Sequence, residues 1–194
     1  MAITKLSDSS ITTGDKYISM LAGNTAFRLS DYESIATVTV GGGGSASISF
    51  TSIPATYTHL QIRSITASSN PSASMTMNFN SDNTSANYRN HLLFGDGSTV
   101  TSNTDGNAEY IGLQGSGMTT GPGVQIIDIL DYANTNKYTT SRFLSGYDAN
   151  GSGYVFYGSL LWMNTAAINQ IVISRNTSGF LQYSQFALYG IKGS

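Results

Sequence analysis

The sequence is dominated by short segments in which apolar and polar residues alternate, with clusters of Gly, Asn, Ser and Pro between them. Ser45–Phe50 reads Ser-Ala-Ser-Ile-Ser-Phe, and Met75–Phe79 reads Met-Thr-Met-Asn-Phe. A period of two places successive side chains on opposite faces of a strand, so each segment is expected to bury one face. No segment with a helical period alternates with these strands, which argues against a parallel sheet with crossover helices.

Strand segments of this kind recur at short spacing from Tyr32 to the end of the chain. We expect about 8–10 strands, which is typical of antiparallel sandwiches. The predicted fold class is therefore all-β, an antiparallel β-sandwich or jelly roll with an extended N-terminal arm. The arm covers residues 1–30, and the sandwich domain covers residues 31–194.

Two hairpins are predicted from the turn residues between strands. Ile35–Val40 is expected to pair with Ser45–Phe50 across the four glycines that separate them. Tyr138–Tyr147 is expected to pair with Tyr154–Met163 across a turn that reads Asp-Ala-Asn-Gly-Ser-Gly.

Val124–Tyr132 differs from the other strand segments because it is a nearly continuous apolar run. Such a run predicts a strand that is buried on both faces. Trp162, the only tryptophan, lies in the apolar segment Leu160–Met163 and is expected in the core.

Charged residues make up only 10% of the sequence, whereas about 25% is usual. The 9 basic residues are spread thinly, and the formal net charge is -2. Proteins that bind nucleic acid neutralise rows of phosphates with clustered basic side chains, so no nucleic-acid partner is expected. A nearly neutral surface is compatible with close packing against other subunits.

Cysteine is absent, which excludes disulfides, thiolate zinc sites and Cys nucleophiles. No stretch approaches the roughly 18 consecutive apolar residues of a membrane-spanning helix, so no membrane association is expected. Lys5 is not followed by the apolar segment of a signal peptide. We therefore expect synthesis in a cytosol without secretion by the standard route.

Residues 1–30 show neither a strand period nor a helical period, yet they contain many large apolar side chains. A loose terminus rarely carries so many, which favours an extended arm. A loose terminus is the alternative interpretation.

Candidate catalytic groups are few. His59 and His91 are the only histidines, and no G-x-S-x-G motif accompanies them. His59 falls on a predicted strand face, where a surface or hydrogen-bonded histidine is the ordinary outcome. Asp128 and Asp131 lie three positions apart on one predicted strand, hence on opposite faces, and cannot form a glycosidase acid/base pair unaided. No catalytic residue is predicted.

Calcium is the metal that the polar loops suit best, because its ligands are oxygens. Asn80–Asn83 and Asp148–Asn150 carry such oxygens, but neither has the spacing of a calcium-binding loop. The same residues are ordinary turn formers, so no metal site and no cofactor are predicted.

Several tyrosines fall beside apolar residues on predicted strands. Tyrosine can fill a core edge, line a subunit interface or stack on a sugar, and the first two uses are the more common. The sequence does not single out ligand-binding residues among them. These tyrosines are Tyr154, Tyr157, Tyr183 and Tyr189.

A series of longer motifs resembles a family of phage proteins. The motifs are Ser49–Arg63, Asn78–Asp82 followed by Asn87-Tyr88, Ile127–Tyr138 (Ile-Asp-Ile-Leu-Asp-Tyr-Ala-Asn-Thr-Asn-Lys-Tyr), Leu161–Ile168 and Phe186–Lys192. In this order they resemble the tail-fibre-like or capsid-decorating β-sandwich virion proteins of tailed bacteriophages, including cyanophages. The resemblance covers roughly residues 32–192 and is most specific at Ile127–Tyr138.

The resemblance implies a β-sandwich exposed on a virion, with other capsid or tail subunits as partners and a homotrimer as the expected oligomer. It brings no catalytic residues. The chain has no room for a fibre shaft, which favours a capsid decoration (cement) or a short fibre subunit, with the arm docked on the particle. Candidate docking residues are Ile3, Leu6, Ile11, Tyr17, Ile18, Leu21 and Phe27.

Two alternatives remain open. A tail-fibre adhesin would bind host-surface glycans through an exposed face rich in tyrosine. An enzyme acting on glycans is the other alternative, and it suffers from the lack of a visible acid/base pair.

Overall fold

The computed structural model describes residues 31–70, 75–106, 111–113, 121–148, 150–175 and 178–193, apart from the side chains of residues 105, 106 and 111–113. In these residues the chain forms twelve strands and one 3-10 helix, Ser85–Asn87. The strands are β1 (Tyr32–Thr39), β2 (Ser47–Phe50), β3 (His59–Thr66), β4 (Met75–Phe79), β5 (Tyr88–Gly95), β6 (Val100–Gly106), β7 (Ile111–Leu113), β8 (Gly123–Leu130), β9 (Thr139–Asp148), β10 (Gly153–Trp162), β11 (Ile171–Arg175) and β12 (Gln185–Ile191).

The strands form two antiparallel sheets. One has eight strands in the order β1-β12-β3-β8-β9-β10-β5-β6, and the other has four in the order β2-β11-β4-β7. The predicted all-β antiparallel sandwich is confirmed, with twelve described strands rather than about 8–10. Strand β6 was not predicted. It lies at the edge of the eight-stranded sheet, and its sequence, Val-Thr-Ser-Asn-Thr-Asp-Gly, has almost no alternation of apolar and polar residues.

One hydrophobic core lies between the inner faces of the two sheets. The eight-stranded sheet contributes residues such as Leu60, Ile127 and Phe143, and the four-stranded sheet contributes Met77 and Ile173. All five are at most 1% exposed, so the alternating pattern of each strand is satisfied on this side. Trp162 is also fully buried, as predicted from its sequence context.

The second predicted hairpin is confirmed and the first is wrong. Strands β9 and β10 pair from Thr139↔Trp162 to Asp148↔Gly153. Strand β1, in contrast, pairs with β12, and β2 pairs with β11 in the other sheet. The glycine segment between β1 and β2 thus connects one sheet to the other. An alternating sequence pattern shows which side of a strand is buried, but it does not show which strand is the pairing partner.

The prediction that Val124–Tyr132 is buried on both faces is also wrong. In β8 the buried residues Gln125, Ile127 and Ile129 alternate with the outward-facing residues Val124 and Ile126, of which Ile126 is 41% exposed. The strand has apolar residues on both faces, but the described part of the chain covers only one of the two faces. No helix in the described part of the chain has the length and apolar character of a membrane span.

Candidate functional site

The outer face of the eight-stranded sheet, which points away from the core, carries a group of large apolar side chains on strands β3, β5, β8, β9 and β10. Each is between 41% and 58% exposed. This group is called the outer apolar face and consists of Ile65, Leu93, Val124, Ile126, Leu144, Val155 and Tyr157.

Strand register arranges the outer apolar face in two adjacent rows. In one row Ile126 pairs with Leu144, Leu144 with Tyr157 and Tyr157 with Leu93. Alternate residues of neighbouring antiparallel strands lie side by side on one face, so these four side chains form a continuous band across the middle of the sheet.

The second row mixes valines with glycines. Val124 pairs with Gly146, Gly146 with Val155 and Val155 with Gly95, while Ile65 extends the row beyond Val124. The glycines lack side chains, so this row alternates between projections and gaps. A shallow depression of about 250 Å³ lies at Gly146, with walls of Val124, Ile126, Leu144 and Val155.

A polar network borders the outer apolar face. Asp128 accepts hydrogen bonds from Gln61 Nε2 (2.7 Å) and from Arg142 Nε (3.0 Å). Gln61 Oε1 in turn accepts a hydrogen bond from Arg63 Nε at 2.9 Å. The hydrogen bond and the charge of Asp128 raise the pKa of Arg142. The polar row is thus internally paired, with charges of both signs beside the apolar rows.

Two tyrosines continue this border toward the sheet edge. The rings of Tyr32 and Tyr189 have centroids 4.8 Å apart, and the Arg63 guanidinium carbon lies 5.4 Å from the Tyr32 centroid. Burial, opposed by Arg63, raises the pKa of Tyr32. A depression of about 370 Å³ separates this corner from Val124 and Ile126.

A second concave region lies at the rim of the sandwich, where the β5–β6 and β9–β10 turns meet. It is a shallow cavity of about 500 Å³, lined by Tyr147, Tyr154, Asp96, Asp148 and the glycines of the two turns. The two tyrosine rings lie 6.0 Å apart, and Tyr154 is 37% exposed. Backbone N–H groups of Thr99 and Ser98 donate to Asp96 and lower its pKa.

The structure separates the sequence-derived candidates for catalysis. Asp128 lies on β8, but the strand ends at Leu130, so the placement of Asp131 on this strand was wrong. Asp131 pairs with Lys137, which lowers the pKa of Asp131, and its backbone N–H donates to His59 Nδ1 at 3.0 Å. His59 is hydrogen-bonded, as expected, whereas His91 is exposed on β5.

The polar loop Asn80–Asn83 is organised by the carboxylate of Asp82. Its Oδ1 accepts the Thr84 N–H at 2.9 Å, and its Oδ2 accepts Asn87 Nδ2 and Trp162 Nε1, each at 2.8 Å. Burial raises the pKa of Asp82, but the hydrogen bonds from Asn87, Thr84 and Trp162 outweigh it and lower the pKa to about 2. These contacts fix the conformation of the loop, as expected of residues that form turns.

In Asp148–Asn150, Asp148 Oδ1 accepts the Asn150 N–H at 2.7 Å, which is an ordinary turn contact. Across the described ranges, no group of three or more His, Asp or Glu side chains is arranged to hold a metal ion.

Of the tyrosines singled out in the sequence, Tyr157 belongs to the outer apolar face, Tyr154 lines the rim cavity and Tyr189 borders the polar network. Tyr183 was placed on a strand, which is wrong: it lies in a turn with φ of 71° and is 76% exposed. The docking residues predicted in the N-terminal arm lie outside the described residues.

Of the seven residues of the outer apolar face, Tyr157 was considered from the sequence as a tyrosine that could line an interface, and the other six were not considered as functional. The sequence carried a signal for two of them, Val124 and Ile126, which lie in the run Val124–Tyr132, where apolar residues occupy positions of both faces. It was interpreted as double burial within one chain, although double burial can also be completed by another subunit.

No protein-family model matches the chain, and no curated protein sequence matches it. Among solved structures it is similar to galectin LEC-6 from Caenorhabditis elegans, with 9% identity, a TM-score of 0.34 and coverage of 78% of this chain and 94% of that chain. A protein of unknown function from Shewanella oneidensis MR-1 is similar with 11% identity, a TM-score of 0.21 and coverage of 84% and 77%.

Proposed function

We propose that this chain is a non-enzymatic structural subunit of a tailed-phage particle, either a capsid decoration (cement) or a short fibre subunit. The outer apolar face is the observation that carries the assembly role. The resemblance of residues 32–192 to phage virion proteins supports the assignment to a virion. Other capsid or tail subunits are the partners, and the N-terminal arm is a further anchor.

Apolar surface that stays in contact with water costs free energy. Burying apolar area stabilises a complex by about 25 cal/mol per Å², and monomers rarely expose contiguous apolar patches larger than a few hundred Å². Seven large side chains that are 41% to 58% exposed, on one sheet face, fit an assembly surface better than a surface in contact with solvent.

The test is incorporation into particles. Phage that encode Leu144→Glu are compared with phage that encode Tyr183→Glu, because Tyr183 is 76% exposed and lies off the outer apolar face. We expect Leu144→Glu to reduce the copies per particle, counted by quantitative mass spectrometry, and Tyr183→Glu to leave them unchanged. Equal incorporation of both variants would remove the outer apolar face from the assembly role.

A glycan-binding adhesin is a second candidate function, favoured by the rim cavity. Tyr147 and Tyr154 offer aromatic surface, and Asp96 and Asp148 offer carboxylate oxygens, which together suit the apolar face and the hydroxyls of a sugar. A glycan array with the purified protein tests this role. Binding that is lost in Tyr154→Ala would support an adhesin, and an array with no signal above background would reject it.

A further inference from the structure

We propose that the outer apolar face packs against the same face of a second copy of this chain, forming a two-fold symmetric dimer in which β9 of each copy faces β10 of the other. This dimer replaces the homotrimer that the resemblance to phage proteins implies. The inference rests on the proposed assembly role of this face and names its occupant. Two sheets that stack face to face in this way lie about 10 Å apart, with their strands nearly aligned.

The strand order defines which residues meet. A two-fold axis that runs parallel to the strands, between β9 and β10, places β8 opposite β5 and β3 opposite β6 of the second copy. Rotation about this axis keeps each residue at its level along the strands, so each row of one copy faces the same row of the other.

The valine and glycine row is self-complementary in shape under this operation. Val155 faces Gly146 of the second copy, and Val124 faces Gly95 of the second copy. Each valine thus meets a position without a side chain, and the depression of about 250 Å³ at Gly146 receives Val155 of the second copy.

The neighbouring row is apolar on both sides. Ile126 faces Leu93 of the second copy, and Leu144 faces Tyr157 of the second copy. These four side chains are 41% to 52% exposed in the single chain and would be covered by the contact.

The polar row avoids like charges. Asp128 faces His91 of the second copy, and Arg142 faces Ser159 of the second copy. Arg63, one row away, faces Ser102 of the second copy. No carboxylate directly faces a carboxylate and no guanidinium directly faces a guanidinium. The two Arg142 side chains lie diagonally across the axis, and each is paired with Asp128 of its own copy, so the pairing is electrostatically permitted.

The size of the surface is also adequate. The contact would cover six neighbouring strands, in the order β3-β8-β9-β10-β5-β6. At a strand spacing of ~4.8 Å these strands span about 24 Å across the sheet, and the three rows of residues span about 14 Å along the strands. With the width of a side chain added at each edge, this surface is of the same order as the roughly 800 Å² per partner of a standard specific interface.

Sedimentation equilibrium of the full chain tests the pairing. We expect the wild-type protein to associate to twice its chain mass of 20.6 kDa. Ile126→Lys and Leu93→Glu each place a charge against an apolar side chain, which should weaken association by about 100-fold. Because these two positions face each other, a 1:1 mixture of the two variants should restore a dimer to within about tenfold of wild type.

Tyr183→Glu should associate like wild type. Each variant should keep the wild-type far-ultraviolet circular dichroism spectrum, because loss of the dimer alone would lower the thermal unfolding midpoint without any misfolding. If either variant misfolds, the facing pair Leu144→Glu and Tyr157→Lys replaces the first pair. A monomer, a trimer or a mixture without rescue would overturn the two-fold pairing. If the wild type is monomeric while Leu144→Glu is still lost from particles, the assembly role stands and the second copy is not its occupant.

Discussion

Asp82 shows how a single polar side chain can determine the conformation of a loop in this protein. Its carboxylate accepts hydrogen bonds from Thr84, Asn87 and the buried Trp162, so it joins the loop after β4 to the end of β10. Hydrogen bonds to a charged acceptor are among the stronger ones in proteins. The sequence offered Asp82 as a turn former, and its contact with Trp162, 80 positions away, could not be predicted without the pairing of the strands.

Replacing Asp82 with Asn should destabilise the fold by about 2 kcal/mol. The amide NH₂ group of Asn would stand where a carboxylate oxygen now accepts hydrogen bonds, so N–H donors would face one another. Urea unfolding at neutral pH measures this change. The pKa of Asp82 is lowered from 3.8 to about 2, so its contribution is present above pH 3.8 and is lost as the pH falls through 2. The difference in unfolding free energy between wild type and Asp82→Asn should therefore shrink across this window, and a pH-independent difference would contradict the account.

Gly158 allows a second test at the scale of one residue. It faces the core from β10, directly opposite Phe143, and an added Cβ would overlap the Phe143 ring. Gly158→Ala should cost about 2–3 kcal/mol, since a well-packed core does not admit an extra methyl group there. Gly41→Ala is the matched control, because nothing lies within 4 Å of an added Cβ, and it should stay within about 0.5 kcal/mol of wild type in the same denaturant series.

At the scale of elements, the alternating pattern predicted most strands and failed where pairing or covering depends on distant segments. Ser45–Phe50 was recognised as a half-buried strand, and it is one, but its partner is β11 rather than β1. Strand β6 was not predicted because it forms through backbone pairing with β5 at the sheet edge, and not through an apolar pattern of its own. Local residues report which face is buried, whereas the partner is decided by the whole core.

The two apolar faces of strand β8 differ in burial, and substitutions on them should differ in effect. Ile127 is fully buried, whereas Ile126 is 41% exposed. Ile127→Thr should destabilise the single chain by about 2 kcal/mol through the buried hydroxyl and the lost packing, and Ile126→Thr should change it by less than about 0.5 kcal/mol. Denaturant unfolding at low protein concentration measures both, and equal losses would mean that Ile126 is covered within the single chain.

At the scale of the whole molecule, the apolar side chains between the two sheets are buried, whereas those on the outer face of the eight-stranded sheet are exposed. The core between the sheets buries the apolar residues of the inner faces, and the outer face of the eight-stranded sheet still carries seven exposed apolar side chains. The all-β class followed from the sequence because period two and turn residues are local signals. The outer apolar face did not, because its rows exist only once five strands are placed side by side in register.

The assembly role of the outer apolar face is tested most directly by a cryo-EM map of the native particle in which this chain is located. We expect Ile126, Leu144 and Tyr157 to be covered by another subunit, which in the proposed dimer is a second copy of the chain. A map in which these three side chains face solvent, while the chain is held to the particle elsewhere, would contradict the account.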